Sequence, residues 1–135
     1  MTVKNDEFCK TNMSFEGSSL YHANKQLVLQ SEKPLTHLEL ARKQEMLEDF
    51  FKDEVIDYAM LLCHDRRDYT VFHLNGAHAA HIAASEAIGC CIDRGDILGI
   101  DLTDNKDAYE IWLRINDEAF CYYLFPYDQA VIECD

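Results

Sequence analysis

A chain of 135 residues, 48% of them hydrophobic, has the size of one domain and can build a core without disulfide or metal staples. Its net charge of −13 excludes the basic footprint that a nucleic-acid binder needs, and it disfavours docking on an anionic membrane. The charge is uneven: residues 101–135 hold two bases and nine acids, which is −7 of the total.

No apolar run approaches the ~20 residues of a membrane span. The opening MTVKNDEFCKTNMSFEG is polar throughout, with no charged-then-apolar leader. That pattern predicts a cytoplasmic protein whose six cysteines are free thiols. For the same reason the sequon at Asn12 and the Arg94-Gly95-Asp96 tripeptide are discounted as glycosylation and adhesion signals.

Taken in chain order, residues 1–17 are sparse in apolar groups and predict a flexible arm, with a single domain over 18–135. SSLYHANKQLVLQ suggests a hairpin turning at Ala23, Asn24 and Lys25. Thr36 and Glu39 have capping-box spacing and mark a helix start. Helical periodicity then runs over 36–63, with a break near Lys52 and Asp53 as an option, and its apolar end IDYAMLLC is expected to be buried. Residues 69–74, rich in β-branched and aromatic side chains, predict a strand ended by Asn75 and Gly76.

A helix over 77–93 follows, with Gly95 suited to a left-handed cap. Strands over 97–102, 108–115 and 118–125 form a meander, turned at 103–107 and at Asn116 and Asp117. After Pro126, residues 129–134 could add a short edge strand. The expected fold class is therefore α+β: one mainly antiparallel sheet of about four to six strands, with a three-strand carboxy-terminal meander, covered by two helices in a single domain.

The stretch AHAAHIAASEAIGCCIDRGD invites a zinc reading, because His78, His81, Cys90 and Cys91 are all ligand types. Helical geometry rejects it. The cysteines fall on the side opposite the histidines, and Cys90 lies ~18 Å along the axis from His78. The alanines instead form a stripe of small residues that lets the helix pack closely, with the thiols acting as small hydrophobes. The acidic loop from Asp101 lacks the glycine and glutamate of a calcium hand, placing Lys106 and Trp112 at those positions. Cys63 and His64 are neighbours at an element end and do not read as a nucleophile and base. No phosphate-loop, dinucleotide or nucleophile-elbow motif occurs, and no cofactor or metal is expected.

What remains is a surface. Glu110, Trp112 and Arg114 alternate away from Ile111 and Leu113. With Asp104, Asp107, Asp117 and Glu118 in the flanking turns, they suggest an acidic and aromatic face. The reading is a small non-enzymatic protein of inhibitor, immunity or adaptor type that binds a basic protein partner through that face, its acids steering association. The bland alternative is that Trp112 packs beneath the amino-terminal segment or a helix. A second reading is an enzyme or small-molecule binder with a pocket beside the 77–93 helix, offering His73, His78, His81, Ser85 and Glu86. An uncovered meander edge would also allow pairing between copies of the chain.

Overall fold

The computed structural model describes residues 19–52, 58–64, 68–74, 78–104 and 106–127. The expected amino-terminal arm, the 129–134 strand and the Asn75-Gly76 turn lie outside them. The chain runs α1 (Ser19–Leu29), α2 (His37–Lys52), β1 (Tyr58–Cys63), β2 (Tyr69–His73), α3 (Ala79–Arg94), β3 (Asp96–Leu102), β4 (Tyr109–Ile115) and β5 (Glu118–Tyr127). The five strands form one sheet in the order β2-β1-β5-β4-β3, with every neighbouring pair antiparallel. This is the α+β arrangement that the sequence predicts, with a third helix added.

The local signals that hold are the self-contained ones. Glu39 N–H donates to Thr36 Oγ1 at 3.2 Å, and Thr36 N–H donates to Glu39 Oε1 at 2.9 Å, so the capping box closes in both directions. Hydrogen bonding to its carboxylate, first from the Thr36 backbone amide and then from the Thr36 side chain, holds the Glu39 carboxyl below its ordinary pKa. Asn116 and Asp117 both take positive φ, 52° and 68°, the conformation of a type I′ turn that matches the twist of the β4–β5 hairpin.

Two elements differ from expectation. The helix starting at His37 ends at Lys52, and YAMLLC is strand β1 rather than its continuation. β1 lies between β2 and β5 with apolar groups on both faces, so its sequence is apolar throughout and carries no period that separates strand from helix. Residues 19–29 form a helix, not a hairpin.

The sheet has a core on each face. On one face α2 and α3 cover Ala59, Leu61, Ile100, Ile111, Leu113 and Leu124. The small-residue stripe does its expected work there: Ala83, Ala84, Ala87 and Cys91 of α3 are fully buried, which permits the close approach of α3 to Leu47 and Phe51 of α2 and to the sheet. Met60, Trp112, Cys121, Tyr123 and Phe125 line the other face, beside α1.

Gly95 is not a left-handed cap. Its φ of 174° is extended backbone, and glycine is needed because a Cβ would sit 2.3 Å from the Arg114 carbonyl oxygen.

Candidate functional site

Alternation along β4 sends Tyr109, Ile111 and Leu113 towards α2 and α3, and Glu110 and Trp112 the other way, as the sequence indicates. The second face is dry, however. Trp112 is 2% exposed and Glu110 is 5% exposed, because α1 lies over them. The expectation of an exposed acidic and aromatic face is corrected here, and the alternative placement of Trp112 beneath a helix is the observed one.

The contact between α1 and the sheet is largely polar, with Leu29 packed against the apolar cluster of that face. His22, Lys25, Gln26 and Leu29 share one side of α1 at i, i+3, i+4 and i+7 spacing, and that side faces inward. Lys25 Nζ pairs with the Glu110 carboxylate and lies over the Trp112 ring, 5.5 Å from its centroid. Glu110 also accepts the Trp112 indole N–H. Gln26 donates to the Ala119 carbonyl. His22 Nε2 and Tyr123 Oη are 2.8 Å apart, and the His22 ring packs at a tilt of 39° against His64 with centroids 4.0 Å apart.

At the end of α1, Arg114 Nη1 donates to the carbonyls of Gln30 and Glu32, at 3.1 and 2.9 Å. These are orphan acceptors of the kind left beyond a helix. The outward side of α1 is apolar instead, with Leu27 67% and Val28 63% exposed.

A second polar cluster ties α3 to the sheet. Arg94 Nε and Nη2 donate to the two oxygens of Asp68 at 3.3 and 3.4 Å, Nη2 also reaches Thr70 Oγ1 at 3.1 Å, and Tyr122 Oη donates to Asp68 at 2.9 Å. Burial above all, and then the bond to Asp68, raises the Tyr122 phenol well above its ordinary pKa. Burial also pushes the Cys91 thiol up to about 12, and burial together with the Glu110 carboxylate raises Cys121. Neither thiol is a nucleophile at neutral pH.

No protein-family model, curated protein or solved structure matches this chain. The functional reading therefore rests on the geometry.

The remaining residues of the expected face do not assemble with Trp112. Asp104 and Asp107 lie in the turn before β4, whereas Asp117 lies in the turn after it and Glu118 opens β5. The seven residues of β4 separate the two pairs by ~23 Å. All four are exposed, and Asp107 accepts a 2.8 Å hydrogen bond from Thr103.

The residues of the pocket reading are each on the surface. His73 sits on the edge strand β2, stacked near Tyr58. His78, Ser85 and Glu86 are exposed on or beside α3, and His81 pairs outward with Glu48 of α2 at 3.1 Å. Cys91 is fully buried on the inner side of the same helix, as the wheel places it, and Cys63 packs in the α2–α3 core while the adjacent His64 meets α1.

His22, Lys25 and Gln26 are the residues that sequence reasoning missed. Their helical spacing is plain, but they are polar, so a search for apolar periodicity passes over them.

Burial sorts the surface charge. Among the described residues twelve acids are exposed, against four exposed bases: Lys33, Arg42, Lys52 and Lys106. The other described bases are half-buried, and each reaches an acid on a different element: Lys25 to Glu110, Lys43 to Asp101, Arg94 to Asp68 and Arg114 to Asp96. At the end of β3 and in the turn after it, Asp101, Leu102, Asp104, Lys106 and Asp107 are all exposed, and Asp101 is the partner of Lys43.

Proposed function

We propose that this protein acts without catalysis, as an inhibitor or adaptor that binds a basic protein partner through its acidic exterior. The observation that carries this reading is the sorting of charge by burial. Among the described residues the exposed acids outnumber the exposed bases twelve to four, so the field the molecule presents is strongly negative. Such a field accelerates encounter with a basic partner by roughly 10–10³-fold at low salt and repels a second copy of the same chain. The end of β3 and its following turn, with Asp101, Asp104 and Asp107 exposed near Leu102 in sequence, offer acids and an exposed apolar side chain to such a partner.

Retention of partners from a cell lysate tests the reading, with Asp101→Asn/Asp104→Asn/Asp107→Asn as the comparison protein. Specific basic proteins should be retained at low salt and released well below 1 M salt, and the triple variant should retain several-fold less. Partners held equally at 1 M salt, or equally by the variant, would sink it.

A further inference from the structure

The polar contact between α1 and the sheet has the chemistry of a lysine-recognition site with a lysine already in it. Glu110 supplies the carboxylate, its position fixed by the Trp112 indole N–H, and the Trp112 ring supplies a π-face beneath the ammonium. The Ala119 carbonyl beside them accepts from Gln26, the residue after Lys25. Every one of these groups would serve a basic side chain from another molecule equally well. The side of α1 that meets the sheet is also its polar side, while Leu27 and Val28 point to solvent. Beyond Leu29 and the His22 ring, α1 is held by hydrogen bonds and one ion pair, and an incoming lysine that takes over the Glu110 carboxylate spares that buried charge the cost of being left unpaired.

We infer that the Glu110–Trp112 seat is a binding site for a lysine-bearing segment, occupied in this structure by Lys25 of α1 as an internal competitor. A basic partner that enters it displaces α1, and the ammonium–carboxylate pair passes from Lys25 to the incoming lysine with no net change in charge pairing. This rests on the basic-partner reading above and specifies one site for it. Because the seat is filled in cis, apparent affinity is lowered by the fraction of molecules in which α1 holds it.

Trp112 is the only tryptophan in the chain, so its emission reports the seat directly. The probe is a fluorescein-labelled octalysine peptide, titrated into the full-length wild type, Lys25→Gln and Glu110→Gln, with Trp112 emission and peptide anisotropy followed together. Trp112 should move from buried, blue-shifted emission to the red as the wild type saturates. Lys25→Gln should bind about tenfold tighter, because the internal competitor has lost its charge. Lys25→Arg, which keeps that charge, should behave as wild type and guards against a variant that merely loosens the fold. Glu110→Gln should lose the emission change.

Octalysine binding that leaves Trp112 emission unmoved and is equal in all four proteins would overturn the seat while leaving the acidic exterior as the binding surface. Absence of octalysine binding in every protein would overturn the seat as well.

Discussion

Tyr122 Oη donates to Asp68 Oδ2 at 2.9 Å, and the same oxygen lies 3.3 Å from Arg94 Nε, so one carboxylate joins β5, the segment before β2 and the end of α3. The tail of α3 is thereby tied both to Thr70 on the edge strand β2 and to Tyr122 on the central strand β5. Asp68→Ala should cost about 1–3 kcal/mol, less than a fully buried pair because both side chains remain partly exposed, and Asp68→Asn should cost less than that. Urea unfolding of Asp68→Ala, of Arg94→Met and of the protein carrying both, taken as a double-mutant cycle, measures the pair, and Asp68→Asn is compared alongside. A coupling energy near zero would show that Asp68 and Arg94 act independently.

Alkaline pH should destabilise the protein through buried acids that keep their protons. Cys91 is raised from 9.0 to about 12, and Tyr122 is raised in the same direction. Their folded forms hold a proton that the unfolded chain gives up. The contribution is therefore complete below the ordinary values and is lost as pH climbs from about 9 towards 12. Folded protein at pH 8 should leave Cys91 and Cys121 unreactive to a thiol reagent, and both should react once the chain is unfolded in urea. Stoichiometric labelling of Cys91 in the native state would contradict its burial.

Two glycines should respond in opposite directions to alanine. A Cβ at Gly95 meets the Arg114 carbonyl at 2.3 Å, backbone against backbone, so Gly95→Ala should cost roughly 2–4 kcal/mol and shift the start of β3. A Cβ at Gly89 meets nothing within 4 Å, and its place inside α3 makes Gly89→Ala stabilising by about 0.5–1 kcal/mol. Thermal melts of the two proteins should move apart. Equal shifts would place the α3–β3 junction differently from the one described.

One half of the capping box at Thr36 is the threonine hydroxyl that accepts the Glu39 amide. Thr36→Ala should cost about 1 kcal/mol, whereas Thr36→Ser should be nearly neutral because serine keeps the acceptor for the Glu39 amide. Circular dichroism with urea titration distinguishes them. Matched losses would mean that the threonine methyl, not the cap, is responsible.

Filling the small-residue stripe should be costly. Ala84→Leu or Ala87→Leu inserts a branched side chain where the alanine is 0% exposed, and each should lose about 1–3 kcal/mol as α3 is forced off α2 and the sheet. The same change at Ser85, exposed on α3, should be close to neutral. Comparable losses at all three positions would show that helix propensity, not close approach, governs the series.

Much of the fold is written locally. The capping box of Thr36 and Glu39, the Asn116-Asp117 turn and the small-residue stripe of α3 each involve residues within a few positions of one another, and each appears in the structure where its spacing puts it. β1 was not legible as a strand, because a strand covered on both faces loses the alternation that distinguishes it from a buried helix. The α1 helix was hidden for the converse reason, since it turns His22, Lys25 and Gln26 inward and leaves Leu27 and Val28 outside.

The same division holds for the candidate site. Sequence alone determined that Glu110 and Trp112 share one face of a strand, that the chain is strongly acidic, and that the histidines and cysteines of α3 lie on opposite sides of that helix. Each follows from backbone periodicity or composition, which need no partner. Only the tertiary structure decided that Lys25, 85 residues away in the chain, lies against Glu110, and that α1 rather than water covers Trp112. Strand alternation assigns a side chain to a face. What covers that face depends on where a distant helix packs, and that is settled by the free energy of the whole assembled fold.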